Sequence, residues 1–168
     1  RSLETGRYGL GFAENFNALS LEELMQRLGT PSSERHFQMY EALRKGATVE
    51  DLYERTAVKP WFIEQMRDLV QTEEEVLEHK GGQLPDELLV RAKKEGFSDR
   101  YLAEILGVAE KSIRDQRTAL GCVEGWHAVP VSGVEDAAYY YSSYNQPDTT
   151  TATDTEKKVM ILGGGPNR

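Results

Sequence analysis

Apolar residues recur along this chain at helical spacing far more often than at the alternating spacing of strands. Leu21, Leu24, Met25 and Leu28 form the i, i+3, i+4, i+7 stripe of a half-buried helix. Ser20 and Glu23 make a capping box ahead of it, and Gly29 stops it. Thr30-Pro31 predicts the start of a second helix, because proline is tolerated at the first helical position. That helix carries Phe37, Tyr40 and Leu43 to a stop at Gly46. A short helix is expected from Thr48 to about Arg55. Pro60 opens the longest one, to about His79, with Phe62, Ile63, Met66, Leu69, Val70, Val76 and Leu77 as a wide apolar stripe. Glu73, Glu74 and Glu75 are expected mainly on its other, solvated side. Gly81-Gly82 breaks the pattern and Pro85 restarts it. Asp86 and Glu87 in the first turn and Lys93 and Lys94 in the last suit the helix dipole.

The stretch Gly96 to Arg117 reads as a helix stop, a short helix, a tight turn and another helix. Gly96 suits a left-handed stop, and Ser98 a cap. Phe97 and Leu102 are placed to form a hydrophobic staple, and Gly107 breaks the helix before Val108. The same design occurs earlier at a constant offset. Ala42, Gly46, Thr48, Leu52, Glu54, Val58, Ile63 and Arg67 match Ala92, Gly96, Ser98, Leu102, Glu104, Val108, Ile113 and Arg117. This predicts an internal duplication of a helix-turn-helix unit. Chance matching of the common Gly-x-Ser/Thr pattern is the alternative.

Beyond Gly121 the periodicity ends. Gly125, Pro130 and Gly133 among Trp126, Val129 and Val131 predict an extended loop. Tyr139, Tyr140, Tyr141 and Tyr144 fall in a β-prone run. Such a run fits a segment packed over a domain surface, or a platform for stacking bases. Residues 145–156 read as a polar linker. Val159 to Leu162 then reads as a strand buried on both faces, running into the glycine loop Gly163-Gly164-Gly165. The expected class is all-α, with duplicated helix-turn-helix units in a small helical domain and an extended C-terminal tail. Residues 1–19 are poorly patterned.

Composition narrows the partners. A net charge of −8 argues against nucleic acid and acidic membranes, which attract cationic surfaces. No apolar run approaches the roughly 18 residues of a membrane span. No stretch has a signal-peptide pattern, and the start at Arg1 reads as a piece of a longer chain. A single cysteine leaves no internal disulfide or cysteine-built zinc site and fits a reducing cytosol, so a cytoplasmic location is expected.

No catalytic, cofactor-binding or metal site emerges. His36, His79 and His127 are far apart without metal-ligand spacing. Cys122 has no activating neighbour in sequence and reads as a small buried residue. The three glycines at 163–165 lack the full G-x-G-x-x-G. Ser98 to Leu120 has the outline of a DNA-reading helix-turn-helix, with Arg114 and Arg117 on its second helix. However, seven cations between residues 83 and 121 are balanced by seven anions. Glu110 and Asp115, on the same helix, would repel phosphates.

Several stretches resemble the middle of the large chain of carbamoyl-phosphate synthase. They are Arg1 to Gly6, Trp61-Phe62 with the helix after it, Lys94 to Asp99, Leu102-Ala103, Gly107-Val108, Tyr139 to Tyr144 and Lys158 to Arg168. The segment Val131 to Asp136 departs from the family pattern and is shorter. The resemblance implies a non-catalytic oligomerisation domain between two ATP-using synthetase halves. In that family one half makes carboxyphosphate and then carbamate, and the other phosphorylates carbamate. It implies ATP with Mg or Mn for the parent chain and none for this segment. The implied partners are the adjoining synthetase halves, further copies of the chain and a glutaminase small chain, in arginine or pyrimidine biosynthesis. The expected divisions are 1–17 (end of the preceding half), 18–121 (helical domain), 122–156 (extended segment and linker) and 157–168 (start of a truncated α/β domain). A free-standing protein-interaction or DNA-binding helical module is the alternative.

Overall fold

The computed structural model describes residues 6–129, 140–151, 154 and 156–159. The chain divides into two compact units, one ending at Val123 and the other beginning at Glu124.

The first unit is helical. A 3-10 helix, Ala13–Ala18, precedes α1 (Leu21–Leu28), α2 (Arg35–Arg44), α3 (Val49–Thr56), α4 (Pro60–Leu77), α5 (Asp86–Lys94), α6 (Asp99–Leu106) and α7 (Glu110–Ala119). Their boundaries follow local chemistry. Ser20 Oγ accepts from Glu23 N while Glu23 reaches back to Ser20 N, so two otherwise unpaired amides are satisfied. Thr48 and Asp51 do the same for α3, and Ser98 Oγ accepts from Tyr101 N to start α6. The second helix begins later than its proline suggests. Ser32 and Ser33 lie in a turn in which Ser32 O accepts from Arg35 N, so the helix starts at Arg35 rather than Pro31. The fourth ends at Leu77, and His79 N and Lys80 N bond three residues back in a tightening turn.

The two stretches matched in the sequence have closely similar local geometry. Gly46 and Gly96 have φ of 95° and 94°, a left-handed region that costs a residue with a Cβ. Behind them Ala47 N bonds Ala42 O at 2.9 Å, and Phe97 N bonds Ala92 O at 3.0 Å. Both are the long closing bonds of a Schellman stop. Leu52, Leu102 and Ile63 are fully buried, and Ile113 nearly so. The matched arginines diverge: Arg67 is exposed beside Asp68, whereas Arg117 is half-buried against Asp99.

Two apolar cores form. One is built from the 3-10 helix, α1, α2, α3 and the first half of α4, with Leu24, Leu28, Met39, Tyr40, Leu52 and Ile63 at its centre. The other joins the end of α4 to α5, α6 and α7 through Val76, Leu89, Leu102 and Leu106. Leu69, on α4, packs against both.

The second unit contains a two-stranded antiparallel sheet, β1 (Gly125–Ala128) with β2 (Tyr140–Ser143), where a loop was expected for the first strand. His127 pairs with Tyr141 and their rings stack at 5.4 Å. Trp126 O accepts from Thr149 N at 3.1 Å, so the start of the expected linker folds back along β1. The segment Val131 to Asp136, the glycines at 163–165 and most of the expected strand Val159 to Leu162 lie outside the described residues.

Candidate functional site

The most heavily built polar feature sits where the two cores meet. Glu73, on the side of α4 expected to be solvated, is fully buried. Its Oε2 accepts from Tyr40 Oη at 2.7 Å. Its Oε1 receives Arg44 Nη2, while Arg44 Nη1 reaches Glu74 and Arg44 Nε lies 3.3 Å from buried Glu41. A carboxylate survives such burial only when it is paired and hydrogen-bonded.

The entering chain crosses directly over this cluster. Phe12 N donates to Glu41 Oε1 at 3.0 Å, and Phe12 adopts φ of 55°, unusual for a residue with a side chain. Its ring lies 4.6 Å below the Arg44 guanidinium. A Cβ on Gly9 would fall within the Tyr101 ring, and one on Gly11 would collide with Glu73 Oε1, the Tyr101 hydroxyl and Arg44 Nη2. Both glycines are therefore demanded by close approach. Beside the crossing is a cavity of about 180 Å³, lined by Tyr8, Leu10, Phe37, Tyr40, Leu69, Glu73, Phe97 and Tyr101 among others.

Burial, reinforced by the Glu73 charge, raises the pKa of the Tyr40 and Tyr101 phenols well above the usual tyrosine range. For Arg44, burial works to lower the pKa, but Glu73, Glu41 and Glu74 outweigh it and raise it. Arg44 therefore keeps its charge and the two phenols keep their protons. The charges and hydrogen bonds of the cluster join α2 to α4.

A second polar knot ties the last three helices. Lys93, only 4% exposed, donates from Nζ to Asp99 Oδ1 and to Phe97 O, both at 2.7 Å. Arg117 Nε donates to Asp99 Oδ2 at 2.8 Å and its Nη1 to Cys122 O. Arg117 is thus used internally, and Arg114 is paired with Glu110 at 2.8 Å. Arg117 is engaged within the fold, Arg114 is held in an exposed pair on its own helix, and the DNA-binding alternative gains no support.

His36 is exposed on α2, His79 follows α4, and His127 is buried in β1. Among the described residues no group of His, Cys, Asp and Glu is arranged to hold a metal. Cys122 is a half-buried free thiol. No described helix is long and apolar enough to cross a membrane. Sequence reasoning missed Glu73, Glu41 and Tyr101. The glycine pair Gly9 and Gly11 was the one local signal that something approaches closely there.

These features define a mostly helical domain whose buried charges fasten one element to another. The sequence profile of the carbamoyl-phosphate synthetase large chain oligomerisation domain matches residues 1–121. All of this chain aligns with the carbamoyl phosphate synthase large chain of Archaeoglobus fulgidus at 39% identity, covering 16% of that relative. The large chains of Synechocystis sp. and Pseudomonas aeruginosa align over the whole chain at 38% and 37% identity, again over 16% of their length. The chain belongs to the carbamoyl-phosphate synthase large chain family, and it carries that family's oligomerisation domain. It spans about one sixth of the length of these curated relatives.

Proposed function

We propose that this segment is the non-catalytic connector of its parent chain. It spaces two ATP-dependent synthetase halves and mediates contact between copies. The parent is then a carbon–nitrogen ligase that forms carbamoyl phosphate from bicarbonate and ammonia, using ATP with Mg or Mn and a glutaminase small chain as ammonia source. The two matched helical stretches are read as a duplicated unit, which gives the spacer its length.

One observation carries this reading. The charged residues buried in the described structure, Glu41, Glu73 and Lys93, all lie in ionic clusters joining separate elements. Active sites hold shifted acids and bases facing a cleft that substrate can enter. Here each buried charge is paired with an opposite one, Glu41 and Glu73 with Arg44 and Lys93 with Asp99, as in a part built to hold a shape.

Titration calorimetry of the 168-residue chain with Mg-ATP is the direct test. No saturable heat is expected across the millimolar range. Stoichiometric ATP binding would overturn the non-catalytic reading.

A further inference from the structure

We infer that residues 7–17 form a strap that fuses two separately cored leaves into one cooperative body, with Glu73 as its buckle. The inference concerns the helical unit alone and does not depend on the connector reading. Each leaf has its own apolar core, and α4 runs through both. Two such cores sharing one helix would ordinarily open independently, because local stability follows local packing. A cavity beside Leu69 and Glu73 marks the place where their packing is incomplete.

The strap spans this place. On the first leaf, Arg7 pairs with Glu34 at 2.6 Å and lies 4.1 Å over the Phe37 ring. Ala13 and Phe16 are buried in the first core, and Lys45 Nζ donates to Asn17 O at 2.9 Å. On the second leaf, the Arg100 guanidinium lies 3.7 Å over the Tyr8 ring, and Ser98 Oγ donates to Tyr8 O at 3.5 Å. Gly9 lies against the Tyr101 ring. Between these anchors Gly11 sits on Glu73, which holds Tyr40 and Arg44 of the first leaf. Force on the strap therefore reaches both leaves at once. The left-handed conformation at Phe12 is strain that such anchoring can sustain.

Denaturant-dependent hydrogen exchange on the intact 168-residue chain tests this. In the unaltered chain the slowest amides of α2 and of α6 should share one opening reaction. Gly11→Ala should separate them, with α6 exchanging roughly tenfold faster than α2. Arg100→Ala removes the guanidinium over the Tyr8 ring together with its pair to Glu104, so it is compared with Glu104→Ala, which removes the pair alone. Beyond that control it should shift exchange in the same direction by a smaller factor, and it decides the matter should Gly11→Ala fail to fold. Glu73→Gln should speed exchange in residues 7–17 and in both leaves. Independent opening of the leaves in the unaltered chain would overturn the inference. So would unchanged α6 exchange in both Arg100→Ala and Glu73→Gln.

Discussion

Asp99 lies between two cations, with Lys93 Nζ and Arg117 Nε at 2.7 and 2.8 Å. Burial alone would raise its pKa, but the hydrogen bonds and charges of both partners win and hold it below the usual carboxylate value. A depressed folded-state pKa means that the unfolded chain takes up the proton first. The stabilisation is complete above the unfolded value of about 4 and is lost as pH falls through the lower folded one. The melting temperature should therefore drop on acidification below about pH 4, and Asp99→Asn should have a lower but flatter profile over the same range. Equal slopes for the two proteins would remove Asp99 from the account. Such roles were only partly legible. Lys93 and Arg117 were read as a dipole-matching charge and a candidate phosphate contact, because a wheel or a charge count cannot see partners from another helix. Glu73 was misplaced for the same reason. A run of three glutamates reads as solvated until Arg44 and Tyr40, distant in sequence, are brought to one of them.

At the scale of elements, the helices were legible because their signals are local. Caps, glycine stops and apolar periodicity lie within a few residues of the boundary they set. Ser98 accepts from Tyr101 N at the head of α6, so Ser98→Ala should cost about 1 kcal/mol. On a chain of this size that is a fall of about 2–4 °C in melting temperature, measurable by circular dichroism. Thr48→Ala at the matching position should lower it as well. If neither variant moves, the caps are incidental and packing alone sets these boundaries. The strands were less legible. The tyrosines announced β2, but Gly125 and the glycines and proline nearby hid its partner β1. Pairing across a long connection leaves no local mark on the strand that receives it.

At the scale of the molecule, the apolar stripe of α4 divides between inside and outside. Ile63, Val70 and Val76 complete the two cores, but Trp61 and Phe62 remain 61% and 55% exposed, packed edge to face on each other. If this segment mediates contact between copies, as proposed, the adjacent exposed rings are the surface to test. Light scattering should show mass rising with concentration, and Trp61→Ala with Phe62→Ala should abolish the rise. A monomer at every concentration would exclude this edge as a contact between copies. The family resemblance in the sequence rested on short motifs along nearly the whole chain, Trp61-Phe62 among them, whereas the profile match covers residues 1–121. The strap has a further consequence, in time rather than in space. Its bond from Ser98 to Tyr8 joins residues 90 apart in the chain, whereas each helical hairpin closes over a much shorter span. Loop closure of that length follows the local steps, so each leaf can consolidate on its own and the strap is the last to lock. Interactions formed after the transition state govern how fast a protein unfolds rather than how fast it folds. The residues around Gly11 thus set the lifetime of the folded domain, while its folding rate belongs to the helices beneath.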